Sequence, residues 1–238
     1  MAVLDAGLEF EFSAAQLVLE RLLALPEPLR PTRQSFGEDE AGVLIGDAGR
    51  FLREFRYPVG GFYLISAGAT FDIREIRNGR LICHVFFGDI SFNDIREFLI
   101  HMAVAKPIFG FACATEERKQ RNRITTVQGV NTIESWVGRD TQRYIPGLYW
   151  WTFLPASLAE KHGVPLPVIA SVALEHIELE EEKHLFRFYE NPDDWRLTTV
   201  VAGLCSSLPG IFDVEKIRPQ LEGARTFLEY CALADAWE

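Results

Sequence analysis

The most constraining feature of the sequence is an aromatic block at residues 144–154, which reads Tyr-Ile-Pro-Gly-Leu-Tyr-Trp-Trp-Thr-Phe-Leu. Eleven residues hold two of the five tryptophans, two tyrosines and a phenylalanine. Because aromatic side chains bury the largest areas, such a block is either the centre of a core or a recognition surface. Alternation would give a strand here two apolar faces, one with Leu148, Trp150 and Thr152 and the other with Tyr149, Trp151 and Phe153. We therefore predict a buried central strand from Gly147 to Phe153.

Charge and composition narrow the class of protein. The chain carries 34 acidic and 24 basic side chains, a net charge of −10, which disfavours nucleic acid and anionic membranes and favours a basic partner. No run of 18 apolar residues predicts a membrane span. The four cysteines are scattered, and the first residues lack the basic start of a signal peptide. We predict a cytoplasmic protein with free, buried thiols.

Two helices in the first half carry start signals. Ser13 and Gln16 have the spacing of a capping box, followed by an apolar helical stripe. Ser91 and Asp94 give a second box before another such stripe. Before the first helix, residues 8–12 alternate apolar and acidic side chains, which predicts a half-buried strand.

Asn78-Gly79 is a strong hairpin signal between two apolar runs. A two-residue loop would set Ile73 opposite His84. In that register His84 shares a sheet face with Phe71, Ile82 and Phe86. We interpret it as a core histidine rather than a catalytic one.

The order of these elements predicts an α+β fold with largely antiparallel sheets, helices packed on one face, and two loosely similar halves. Residues 118–143 form a locally basic segment with few aromatics before Trp136, unlike a nucleic-acid platform. We place a boundary there, between residues 1–116 and residues 129–238, with one compact domain as the alternative.

The densest negative patch is a predicted hairpin in the second half. Between Val172 and Trp195, eight acidic residues stand against two basic ones. We predict partner contacts on this hairpin at Glu178, Glu180, Glu181 and Glu182. Further contacts are predicted at the outer end of the aromatic block (Trp136, Asp140, Arg143 and Tyr144) and in an exposed acidic connection (Glu38, Asp39 and Glu40).

A search for catalytic signatures is negative. The sequence lacks G-x-G-x-x-G, G-x-x-x-x-G-K-[ST] and G-x-S-x-G. The carboxylate pairs Glu9/Glu11 and Glu178/Glu180 fall on predicted solvent faces. No catalytic residue, cofactor or metal is therefore predicted. Two alternatives stay open: a metal-dependent enzyme using His176, Glu178 and His184, which could approach across the hairpin, and an oligomeric structural or adaptor module.

The segments Trp136-Val137-Gly138-Arg139-Asp140 and Tyr144-Ile145-Pro146-Gly147-Leu148-Tyr149-Trp150 resemble immunity proteins of bacterial polymorphic-toxin and type VI secretion systems. In particular, the sequence resembles the family paired with restriction-endonuclease-fold toxins. His162-Gly163, the acidic hairpin and residues 192–195 follow in the expected order, so the resemblance covers most of the chain after residue 130.

This resemblance implies a cytoplasmic α+β protein that binds a cognate effector toxin and blocks it. Nucleases present basic, phosphate-binding clefts, to which a carboxylate-rich partner is electrostatically steered. The expected partner is a basic toxin and, more narrowly, a nuclease. Direct binding of nucleic acid or membrane is not expected, and the oligomeric state is left open.

Overall fold

A computed structural model describes residues 3–37, 42–58, 60–76, 79–128, 131–224 and 226–237. Its strands are β1 Leu4–Glu11, β2 Arg33–Ser35, β3 Val43–Leu44, β4 Phe62–Ile65, β5 Ala69–Ile76, β6 Arg80–Phe87, β7 Phe109–Ala114, β8 Arg123–Gln128, β9 Asn131–Trp136, β10 Trp151–Pro155, β11 Glu175–Leu179 and β12 Lys183–Arg187. Its α-helices are α1 Ala15–Leu23, α2 Ala48–Glu54, α3 Phe92–Met102, α4 Thr115–Asn122, α5 Ala156–Lys161, α6 Leu166–Val172, α7 Val200–Ser207, α8 Val214–Glu222 and α9 Phe227–Asp235.

Ten strands form one antiparallel sheet in the order β11-β12-β10-β7-β1-β6-β5-β4-β2-β3, and β8 pairs with β9 in a separate hairpin. The predicted α+β class with a largely antiparallel sheet is confirmed. Strands β7 and β10, one from each predicted half, are neighbours in this sheet. The main core also draws residues from both sides of the predicted boundary. The division into residues 1–116 and 129–238 stays a prediction, and residues 129 and 130 lie outside the described part.

One face of the sheet is apolar because every second residue of its central strands is aliphatic, aromatic or Cys. Helices α1 and α3 contribute their own apolar stripes to the same core. Phe98 of α3 packs against Phe71 and Phe87, with ring centroids 6.2 and 5.8 Å apart. Each fully buried side chain of this size contributes about 1.5–3 kcal/mol. This leaves the opposite face of the same strands to carry the polar residues.

The two predicted capping boxes have different outcomes. At α3, Ser91 Oγ accepts from the Asp94 amide, and Asp94 accepts from the Ser91 amide, both at 3.1 Å. The cap predicted at Ser13 is wrong. The last extended residue before the helical backbone is Glu11, so Ser13 lies inside a 3₁₀ turn, Phe12–Ala14, that precedes α1. The residue that caps α1 is Ala14, which makes no side-chain cap.

The register predicted for the β5–β6 hairpin is wrong by one residue. Ile76 pairs with Arg80, and Asp72 rather than Ile73 lies opposite His84. The connection spans three residues, of which residues 77 and 78, including Asn78, lie outside the described part, and Gly79 has φ +68°. A one-residue shift moves a side chain to the other face of the sheet. His84 therefore shares its face with Asp72, not with Phe71.

The aromatic block is buried, as predicted, but its strand is shorter. Strand β10 begins at Trp151 rather than at Gly147. Before it the chain turns: Gly147 has φ +152°, and the Tyr149 amide donates to Thr152 Oγ1 at 2.9 Å. Trp150 is buried in this turn and packs edge-on against Phe92, 5.0 Å between centroids. Strand β10 itself lies inside the sheet, between β7 and β12.

A second apolar cluster joins the β8–β9 hairpin to helices α8 and α9 through residues that include Ile124, Tyr144, Phe212 and Tyr230.

Among the helices of the described part, none combines the length and apolar character that crossing a bilayer would require.

Candidate functional site

The polar face of the sheet forms the floor of a groove of about 690 Å³. Alternate residues of β1 (Asp5, Gly7 and Glu9) lie beside the alternate residues of β6 and β5 that share their face. The latter are Ile82, His84, Phe86, Thr70, Asp72 and Arg74. A volume of this size is typical of a ligand or side-chain binding site in proteins.

One wall of the groove comes from α4, the end of β9 and the turn before β10. Arg118 and Asn122 of α4, Trp136, Pro146 and Tyr149 all line it. Asn122 is buried and its Nδ2 donates to the carbonyls of Val137 and Pro146, each at 3.1 Å. This one side chain therefore joins the three segments that make the wall.

Asp5 connects the floor to the wall. Its side chain is fully buried, and its Oδ2 lies 3.0 Å from Arg118 Nη2 and 3.5 Å from His84 Nε2. Burying the Asp5 carboxylate without a partner would cost free energy, so its ion pair with Arg118 is favoured and keeps the Arg118 side chain in this position. The Arg118 guanidinium in turn lies 4.6 Å from the ring centroid of Trp136. Trp136 also donates from Nε1 to Glu134 at 3.0 Å, so its indole has a fixed orientation.

Glu9 is the second acidic residue of the floor. Its carboxylate accepts a hydrogen bond from Thr141 Oγ1 at 2.8 Å and lies 3.9 Å from Arg80 Nε. Burial raises the pKa of Glu9, against the opposing effect of the Thr141 hydrogen bond and the Arg80 charge. The expectation that Glu9 lies on a solvent face is therefore wrong, because its side chain is only 12% exposed and is bonded to Thr141.

Further along the floor, Asp72 pairs with Arg74, whose Nε donates to Asp72 Oδ1 at 2.9 Å. Phe86 is 41% exposed and packs on His84 with ring centroids 4.4 Å apart. The groove thus combines exposed aromatic surface with charges of both signs.

Behind the wall, Glu117 and Arg121 of α4 form a buried ion pair, with Arg121 Nη2 3.0 Å from Glu117 Oε1. Arg121 also donates to the Tyr189 hydroxyl at 2.9 Å, and Glu117 accepts from the Trp150 amide at 3.3 Å. Burial raises the pKa of Glu117 to about 7, although Arg121 opposes the shift. The pair anchors α4 to the aromatic block.

The predicted acidic hairpin forms, but part of its charge is neutralised. Glu181 lies 2.9 Å from Lys106 Nζ and 3.0 Å from Lys183 Nζ, and hydrogen bonds from these lysines lower its pKa. Glu181 and Glu182 have φ of +59° and +55°, which is uncommon outside glycine. Glu178, Glu180 and Glu182 are exposed, as is Glu181.

The structure separates the residues predicted at the outer end of the aromatic block. Tyr144 is buried, and its hydroxyl donates to the Trp237 carbonyl at 2.9 Å. Arg143 donates to the Ala236 carbonyl and lies over the Trp237 ring, 5.5 Å from its centroid. Asp140 accepts from the Gln142 amide at 2.8 Å.

Tyr144 and Arg143 therefore hold the C-terminal segment, and only Trp136 of this predicted set lines the groove. Glu38, Asp39 and Glu40 lie outside the described residues, directly after Gly37, which also lines the groove.

Sequence reasoning missed Asp5, Asp72 and Arg118. A signal existed for Asp5, because Asp5, Gly7, Glu9 and Glu11 alternate with apolar residues along β1. The same alternation is compatible with a solvent face. Only the wall residues, distant in sequence, make it the floor of a groove.

The sequence and fold were also compared with known proteins. No family model, no curated protein and no solved structure matches this chain.

Proposed function

We propose that this protein is an immunity protein that binds and neutralises a cognate secreted effector toxin in the cytoplasm. The observation that carries the proposal is the groove on the polar sheet face, taken with the resemblance of residues 136–140 and 144–150. Aromatic residues and arginine are the types enriched in the cores of protein–protein interfaces. Trp136, Phe86 and Arg118 supply them at this groove.

The partner we propose is a basic toxin and, more narrowly, a nuclease. A net charge of −10 attracts a cationic protein and accelerates its association. The charges in the groove are paired, Asp5 with Arg118 and Asp72 with Arg74, so the groove offers little net charge. It therefore suits a toxin segment that binds through hydrogen bonds rather than through its own charge. Steering then comes from exposed acids elsewhere, including Glu178, Glu180 and Glu182.

The contacts of Asp5 favour binding over catalysis as the role of the groove. A carboxylate beside an imidazole can orient a general base. Here, however, the Asp5 oxygen nearest His84 lies closer to Arg118, at 3.0 Å against 3.5 Å. In the described part of the chain, His84 Nε2 makes no hydrogen bond to Asp5 or to any other group. Asp5 thus positions the wall rather than activating His84.

The first test is co-expression with the product of the neighbouring gene. A large secreted protein with a C-terminal toxin domain is expected there. The two proteins should co-purify, and expression of this chain should rescue cells from the toxin. The proposal fails if neither a complex nor protection is observed.

The second test asks whether the groove is the contact surface. Trp136→Ala and Phe86→Ala should each weaken toxin binding by more than about tenfold, as expected for anchor residues. Phe227→Ala is a matched control, because this phenylalanine is 55% exposed and is not among the residues that line the groove. Unchanged affinity of both groove variants would exclude the groove.

The hairpin is tested separately. The triple variant Glu178→Gln, Glu180→Gln, Glu182→Gln should slow association and weaken its salt dependence while leaving dissociation unchanged. A large change in the dissociation rate would instead place the hairpin inside the interface.

A further inference from the structure

Three potential metal ligands converge on the β11–β12 hairpin. Glu178 lies directly opposite His184, and His176 precedes Glu178 by two residues, so all three side chains share one face of the sheet. The nearest ligand atoms of the three residues all lie within 4.8 Å of one another. His176 Nε2 and His184 Nδ1 are 3.0 Å apart.

Both imidazole rings are held by one buried phenylalanine. His176 stacks on Phe186 with centroids 4.5 Å apart and 18° between the planes. His184 stacks on the same ring at 5.9 Å and 20°. Phe186 is fully buried, so it forms a rigid platform. Ligands oriented in this way lose little side-chain freedom when they bind an ion.

The separation of the two nitrogens suits a bridging cation. The two nitrogens share a hydrogen bond at 3.0 Å when one of them carries a proton, and a metal ion bound by both nitrogens takes the place of that proton. In a tetrahedral zinc site with Zn–N bonds of about 2.0–2.1 Å, neighbouring ligand atoms are about 3.3 Å apart. The histidine pair is close to this spacing. The exposed Glu178 carboxylate has an oxygen within 4.8 Å of a ligand nitrogen of each histidine, so a change of side-chain rotamer brings it to the same ion.

We propose that His176, Glu178 and His184 bind one zinc ion through two imidazole nitrogens and one carboxylate oxygen. Imidazole with a single carboxylate favours zinc over calcium or magnesium, which prefer sets of oxygen ligands. Three protein ligands leave a fourth position for water or for an external ligand. The ion also links β11, an edge strand of the sheet, to its neighbour β12. Zinc binding here does not require the proposed toxin binding, although Glu178 is also one of the acids to which steering of the toxin is assigned.

The experiment is titration calorimetry of zinc into the full chain, free of any polyhistidine tag and stripped with a chelator. One equivalent of zinc should bind, and it should raise the melting temperature, whereas calcium and magnesium should not. His176→Ala with His184→Ala should weaken zinc binding by more than about tenfold, since loss of even an outer-shell partner costs 10–100-fold.

Two further variants separate ligation from folding. Glu180→Gln, on the same hairpin but outside the cluster, should bind zinc like the native protein. His176→Ala alone, at an exposed position, should lose affinity while its circular dichroism and melting temperature without metal stay unchanged. The proposal is overturned if the native chain binds zinc no more tightly than the double histidine variant.

Discussion

Replacement of Arg121 by Met tests the buried network behind the groove wall. The guanidinium lies 3.0 Å from Glu117, whose side chain is fully buried, and it also donates to Tyr189. Met fills much of the space of the aliphatic stem, so the variant removes mainly the charge and its hydrogen bonds. Leaving one partner of a buried ion pair uncompensated costs about 3–5 kcal/mol. We expect the loss in the free energy of unfolding to approach this size near pH 8.5, because at lower pH the Glu117 carboxyl takes up a proton instead.

The loss should grow with pH. In the native protein, burial raises the pKa of Glu117 to about 7 from its ordinary value of 4.5. A carboxyl whose pKa is higher in the folded state than in the unfolded state stabilises the fold when it is protonated. This contribution to the free energy of unfolding is complete below about pH 4.5 and is lost as pH rises through the folded pKa. Without Arg121 the folded pKa rises further. Above about pH 7 the variant therefore continues to lose up to about 1.4 kcal/mol per pH unit, whereas this decline has ended in the native chain.

The assay is urea unfolding followed by tryptophan fluorescence, near pH 5, 7 and 8.5, with linear extrapolation and a check that the denaturant slope is unchanged. Lys119→Met on the same helix is the control, because its pair with Glu116 is at the surface. Its effect should stay within about 0.5 kcal/mol. The reasoning is refuted if Arg121→Met lowers the free energy of unfolding by less than about 1 kcal/mol near pH 8.5, or if its effect does not change with pH.

Other predictions concern single positions. Gly138→Ala should lower stability by roughly 1–3 kcal/mol in urea unfolding, because φ is +73° and a Cβ would overlap the Phe212 ring; Gly203→Ala, with open space around it, should not. Ser91→Ala should cost about 1 kcal/mol in thermal unfolding through loss of the α3 cap, and an unchanged melting temperature would contradict this. A maleimide should label the native protein at Cys231 alone, since the other three thiols are buried, and mass spectrometry of Cys231→Ser should show no fast labelling.

Local patterns were sufficient for several elements and for their apolar faces, but not for α4 or for the β8–β9 hairpin. The α1 and α3 stripes, the Ser91 cap and the β11–β12 hairpin follow from spacing alone, because helical and strand periodicities determine which side chains share a face. The errors lie at boundaries. The cap predicted at Ser13 fails because a 3₁₀ turn precedes α1. The neighbours predicted for His84 are wrong because one extra loop residue shifts the β5–β6 register.

The candidate sites show the same division. The sequence by itself determined an acidic α+β chain with an apolar sheet face, a buried aromatic block and His176 and His184 on facing strands. Only the tertiary structure decided that Asp5, His84 and Arg118 meet, since they come from three elements brought together by strand order. The same holds for the burial of Tyr144, a predicted contact residue, whose hydroxyl donates to the Trp237 carbonyl of the C-terminal segment. Periodicity records which way a side chain points, whereas what it meets there depends on long-range packing.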